Sequence, residues 1–237
     1  MAGLKFLSLA VAAVSLLVNY AQAQLTNSAK SVDCSAAMND ARKRGGFVNL
    51  QVPENSEQQL PITTTTTQKP TSVASGPNDT YITKVCTAMK NSTPISAATT
   101  PDGTFAYAVQ TGEEADCKAA VDEWKKAYSN FDSLPPAFTD YATAPYKDAN
   151  NVSLISLFNP KEEPTVDCAY FKCLNQEGNA IELKALLCVT TPNALKAKAQ
   201  PYTEDEWKRI NTAINSGSAA VPTVIVVGAA ALAALFL

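Results

Sequence analysis

The sequence predicts an α+β domain built on an antiparallel sheet and held by three disulfides. Helix-period segments dominate the first half, strand-like runs the second, and one more helix closes the chain. That segregation argues against an alternating parallel-sheet fold. The six cysteines Cys34, Cys86, Cys117, Cys168, Cys173 and Cys188 all fall between two apolar terminal segments. An even number of cysteines in a secreted chain implies a disulfide framework in an oxidising compartment.

The ends come first, because they define what remains to fold. Lys5 precedes an apolar run from Phe6 to Val18, and Ala21-Gln22-Ala23 supplies small residues for cleavage. Residues 1–23 therefore read as a secretory signal peptide, too short to be a spanning helix. At the other end, small residues from Ser216 to Ala220 precede the apolar run Thr223 to Leu237. Residues 217–237 read as a GPI-attachment signal that is removed, with Ser216 and Gly217 as candidate attachment residues. The spacer is shorter than the usual ~8–12 residues, while the run itself falls short of the ~20 a spanning helix needs. The expectation is a protein in the secretory pathway, held on the outer leaflet of the plasma membrane. Residues 24–216 suffice for a single domain with a core of ordinary size.

Within that span, Asp33 is placed to cap a helix whose apolar side carries Cys34, Met38 and Ala41 and which stops at Gly45-Gly46. Its last turn is Arg42-Lys43-Arg44, either a docking patch for sulfated or sialylated glycans or cations that complement the helix dipole. Residues 48–77 read as an irregular loop, because Pro53, Pro61 and Pro70 break any helical pattern. The run Thr63 to Thr67 could carry O-linked sugar, form a β-prone edge or be a polar loop. A helix follows at about 79–91, with Ile82, Val85, Cys86 and Met89 on one face.

Pro101-Asp102-Gly103 is a turn, and Thr104 to Gln110 alternates as a half-buried strand does. The longest helix is expected from about Glu113 to Phe131, with Cys117, Ala120, Val121, Trp124, Tyr128 and Phe131 in one stripe. Val152 to Phe158 is nearly all apolar and reads as a central strand buried on both faces. Thr165 to Cys173 and Lys184 to Thr190 are two more strands, joined through Asn175-Gln176-Glu177-Gly178-Asn179. Thr203 opens a capping box with Glu206, for a helix that buries Trp207, Ile210 and Ile214.

Cys168 and Cys173 point to opposite faces of one strand, so they should join different layers. Cys34, Cys86 and Cys117 are natural helical partners, and Cys173 with Cys188 is the expected remaining bridge, although six cysteines allow fifteen pairings.

Composition excludes much chemistry. The chain has no histidine, which removes the usual general base, the Ser-His-Asp and Cys-His systems and imidazole metal ligands. A zinc site also fails on spacing, because no C-x2-C pair occurs. The net charge of −3 gives no electrostatic footprint for nucleic acid. Glu162-Glu163, between Pro160 and Pro164, is the one tempting carboxylate pair, and adjacent acids on such a loop read as solvated charges. No catalytic, metal or cofactor residue is assigned. Asn78-Asp79-Thr80, Asn91-Ser92-Thr93 and Asn151-Val152-Ser153 are glycosylation sequons, and Asn151 suits one only at a strand end.

Several runs are recognisable as text. Asp116-Cys117-Lys118-Ala119-Ala120-Val121-Asp122-Glu123-Trp124-Lys125 and Leu157-Phe158-Asn159-Pro160 resemble the surface antigens of coccidian parasites of the Eimeria type. So do Thr165-Val166-Asp167-Cys168-Ala169, Ala185-Leu186-Leu187-Cys188-Val189-Thr190, and Pro201-Tyr202-Thr203 with Trp207-Lys208-Arg209-Ile210. The resemblance implies a GPI-anchored, non-enzymatic coat protein that meets host-cell surface molecules or host antibodies. It also implies a CAP-like sandwich of an antiparallel sheet between helices. Many CAP proteins carry a two-His, two-Glu cluster, which a chain without histidine cannot form. A sterol or other lipid ligand, or a passive coat role, are the alternatives the resemblance leaves open.

Overall fold

The computed structural model describes residues 25–68, 72–95 and 101–215. Residues 1–23, read as a signal peptide, and Ser216, Gly217 and the apolar tail, read as the GPI-attachment signal, lie outside the described residues. No helix among the described residues is long and apolar enough to cross a membrane.

A four-stranded antiparallel sheet forms the middle layer, in the order β1 (Ser28–Val32), β5 (Thr165–Leu174), β6 (Ile181–Thr191), β4 (Thr104–Val109). One face carries α1 (Ser35–Arg44), α3 (Cys117–Lys126), α4 (Ala149–Leu157) and α5 (Glu204–Asn215). The other carries α2 (Asp79–Lys90). The side chains of each strand divide between two cores. Ala106, Cys168, Tyr170, Leu186 and Cys188 enter the first, while Phe105, Tyr107, Phe171, Cys173 and Leu187 enter the second. The expected α+β sandwich with three disulfides is present.

Local signals explain most elements. The Asn78 side chain accepts from Tyr81 N–H at 3.2 Å, capping α2. Thr203 and Glu206 form the expected reciprocal box, with Thr203 N–H donating to Glu206 Oε2 at 2.7 Å. Gly103 is required by close approach, because a Cβ there would meet Val189 Cγ2 at 2.5 Å and the Thr190 carbonyl at 2.7 Å.

Other elements depart from expectation. Val152 to Phe158 belongs to a helix, α4, not to a central strand. Asp148 caps it by accepting from Asn150 N–H at 2.8 Å. It is apolar all round because it is enclosed: every residue from Asn151 to Leu157 is buried. It packs along the free edge of β4, where Ser153 Oγ accepts from Tyr107 N–H and Ser156 Oγ donates to the Thr104 carbonyl at 2.8 Å. β4 is covered on both faces rather than half-buried, and only Val109 stands out, at 60 % exposure.

Helix α3 starts at Cys117 rather than Glu113, because Asp116 caps Ala119 N–H at 2.8 Å. It ends in a 3-10 turn, Ala127–Asn130. The expected loop at 48–77 contains a 3-10 turn, Ser56–Gln58, and an antiparallel hairpin of β2 (Thr63–Gln68) and β3 (Ser72–Pro77). Of the sequence alternatives, the threonine run takes the β one. Strand β1, unforeseen in a polar stretch, pairs with β5 from Ser28 opposite Lys172 to Val32 opposite Cys168.

Candidate contact surfaces and disulfide framework

The bridges are Cys34–Cys117, Cys86–Cys173 and Cys168–Cys188. Cys173 thus joins Cys86 of α2 and does not join Cys188. The reason is register: Cys168 lies directly opposite Cys188 and Cys173 opposite Leu183. Cys173 does link two layers, whereas Cys168 staples its own sheet. The sulfur atoms of Cys34, Cys168 and Cys188 lie within 4.8 Å of one another, but all three are bonded in disulfides and offer no thiolate to a metal.

The Arg42-Lys43-Arg44 turn does not form one patch. Arg42 is fully buried and donates to the carbonyls of Val48, Leu157 and Asn159 at 2.6–3.0 Å. It knots the end of α1 to the end of α4. Burial pulls its pKa down to about 10, against a smaller opposing influence of Tyr202, so it stays charged at neutral pH. Lys43 and Arg44 are exposed. Arg44 borders a groove of about 540 Å³ between α1 and α3, with Asp40, Lys118, Asp122 and Lys125, and Ile214 at its rim. Asp122 pairs with Lys118 at 2.8 Å and Lys125 at 2.6 Å, and hydrogen bonds from these lysines lower its pKa. The groove is of mixed charge, a poor attractor for a polyanion.

A second charged group sits over the sheet near β1. Glu113 pairs with Lys172 at 2.9 Å and with Lys184, whose hydrogen bonds hold its carboxyl at about 2. Glu114 pairs with Lys30 at 3.5 Å. These contacts take the acids that sequence periodicity had placed in the first turn of a helix. A cleft of about 590 Å³ lies between Ser92, Tyr107–Val109, Glu123 and Lys147–Asn150. It mixes charged and apolar walls. Glu162 and Glu163 are both exposed.

The three sequons differ sharply. Asn91 is exposed at the end of α2, and Asn78 is half-buried with its side-chain oxygen engaged in capping. Asn151 is 3 % exposed inside α4, where its amide donates to the Pro145 carbonyl and its oxygen accepts from Asn130. It is not at a strand end, and no sugar fits on it in the folded chain.

A family model described as the sporozoite surface antigen (SAG) protein domain matches residues 30–228. The "Sporulated oocyst TA4 antigen" of Eimeria tenella is 29 % identical over 255 residues, covering 100 % of both chains. Among solved structures, that of the Eimeria tenella surface antigen protein SAG19 aligns over 78 % of this chain and 97 % of that one, with 15 % identity and a TM-score of 0.47. The motif resemblance and the family match agree: the chain belongs to the sporozoite surface antigen family of coccidian parasites, proteins of the cell surface.

Proposed function

We propose that this surface antigen is a GPI-anchored, non-enzymatic contact protein that meets host cells or host antibodies through the layer opposite its anchor. The observation that carries this is the position of α5. It ends at Asn215, immediately before the candidate attachment residues Ser216 and Gly217, and packs on the α1 and α3 side of the sheet. A tether there leaves α2, which packs on the other face of the sheet, with its outer side free to solvent. Thr83, Lys84 and Thr87 stand exposed on α2. Dense display on lipid raises avidity even where each single contact is weak.

The non-enzymatic part rests on the lack of histidine and on the solvated position of Glu162 and Glu163. The test is saturable binding of the oxidised chain, freed of its two apolar ends, to host epithelial cells, beside a reduced and unfolded control. Fold-dependent binding supports contact. No binding, even on beads that restore avidity, turns the reading toward a passive coat.

A further inference from the structure

We propose that Cys117 is a thiol-accepting site, and that the thiolate released from Cys34 passes the exchange on to the Cys168–Cys188 bridge. Four observations converge on it. Cys117 is the half-exposed end of its disulfide, whereas Cys34 is only 2 % exposed, so an incoming thiolate reaches Cys117 first. Cys117 is also the first residue of α3, where the helix N-terminus favours the charge of the attacking sulfur. Cys34 is the N-cap residue of α1 in place of the expected Asp33; its own side chain makes no capping bond, and Asp33 Oδ1 takes a single first-turn donor, the Ser35 N–H, at 2.9 Å. A thiolate is stabilised in that position, and a stabilised thiolate leaves faster. Finally, Cys34 Sγ lies within 4.8 Å of both Cys168 Sγ and Cys188 Sγ.

The steps balance as thiol–disulfide exchange with no net oxidant. The thiolate of a small monothiol bonds to Cys117 Sγ, and the Cys117–Cys34 bond breaks with its electron pair on Cys34. Cys34 then bonds to one sulfur of the neighbouring bridge, and that bond breaks with its pair on the other. The last sulfur takes the proton that the monothiol gave up to water. Side-chain rotation of Cys34 must close its approach to the ~2.05 Å of a disulfide. The outcome is a chain with a thiol adduct at Cys117, α1 stapled to the sheet instead of to α3, and one buried thiol. The Cys86–Cys173 bridge lies in the other core and takes no part.

The experiment incubates the oxidised full chain with one equivalent of glutathione. Acid then stops the exchange, free thiols are alkylated, and the chain is digested at low pH for peptide mapping. The proposal predicts glutathione on Cys117, the alkyl label on Cys168 or Cys188, and a new bridge from Cys34 to the other of the two. Cys86–Cys173 should remain intact. A label on Cys34 with Cys168–Cys188 unbroken would overturn the relay, and glutathione on another cysteine, or on none, would overturn the site. As a second arm, the Cys168→Ser, Cys188→Ser chain should carry the label on Cys34 instead; if it takes no glutathione while still folded, the site fails as well.

Discussion

The side-chain oxygen of Ser153 accepts the outward-pointing backbone N–H of Tyr107 at 3.2 Å, and Ser156 binds the Thr104 carbonyl of the same strand. Two hydroxyls one helical turn apart thereby take up groups that would otherwise stand unpaired along the edge of β4. An unpaired strand edge is a template for association with another chain. Helix α4 thus closes the sheet on this side.

Replacing Ser153 with Ala leaves the Tyr107 N–H buried without a partner. It should cost about 1–3 kcal/mol of stability, the usual penalty for an unsatisfied buried donor. Urea denaturation of Ser153→Ala and of the Ser153→Ala, Ser156→Ala pair checks this. The double variant should fall further and should self-associate more at high concentration.

Arg42 and its neighbours should separate cleanly. Arg42→Met removes hydrogen bonds to three carbonyls in the interior, and should destabilise by about 3 kcal/mol. Lys43→Ala and Arg44→Ala alter exposed side chains and should stay within about 0.5 kcal/mol of the parent. Thermal unfolding of the three variants decides it. Equal effects would mean that the turn acts as one patch.

Two carboxylates should leave opposite signatures in acid. Lysine partners hold Glu113 at about 2, below its ordinary 4.5. Its contribution is therefore present above 4.5 and lost as pH falls through about 2. Glu113→Gln should lack that slope, and salt should flatten it in the parent, because the pairs are exposed. Asp167, which accepts from Leu60 N–H at 2.7 Å, is raised above 3.8 by burial, against weaker backbone hydrogen bonds. Its charge therefore costs stability as pH rises through its folded pKa. Asp167→Asn should be more stable than the parent at neutral pH, and the gain should vanish below 3.8. Unfolding free energies between pH 7 and pH 2 read both.

Sugar occupancy should follow burial. Expressed through a secretory pathway, the folded chain should carry N-linked glycan at Asn91 and none at Asn151. Peptide mapping before and after enzymatic deglycosylation shows which. A glycan on Asn151 in the folded fraction would contradict its burial in α4.

Where the sequence was legible, the signal was local. The capping box at Thr203, the apolar period of α2 and the strand-like runs of β5 and β6 on either side of a polar turn each needed only a few residues. Where it failed, neighbours distant in sequence decided. Val152 to Phe158 is short and wholly apolar, and periodicity cannot separate a buried helix from a buried strand. Asp148 as cap, and two serines spaced by one turn, were the clues to a helix. Arg42 lies four residues after Met38, on the buried side of α1, so helix spacing could have removed it from the surface patch. A hairpin turning about Gly178 sets Cys168 against Cys188, which would have identified that bridge. Strand β1 carried no such signal: it is polar and largely exposed, and its pairing with β5 alone makes it a strand.

The central claim is host contact by the layer that α5 does not cover, and the most direct measurement compares two charge-altered faces. Saturable binding to host epithelial cells would be measured for the parent, for Lys84→Glu with Thr87→Glu on α2, and for Lys208→Glu with Asn211→Glu on α5. The account predicts that the α2 pair loses most binding and the α5 pair keeps it. Binding unchanged in the α2 pair, or lost only in the α5 pair, would contradict it.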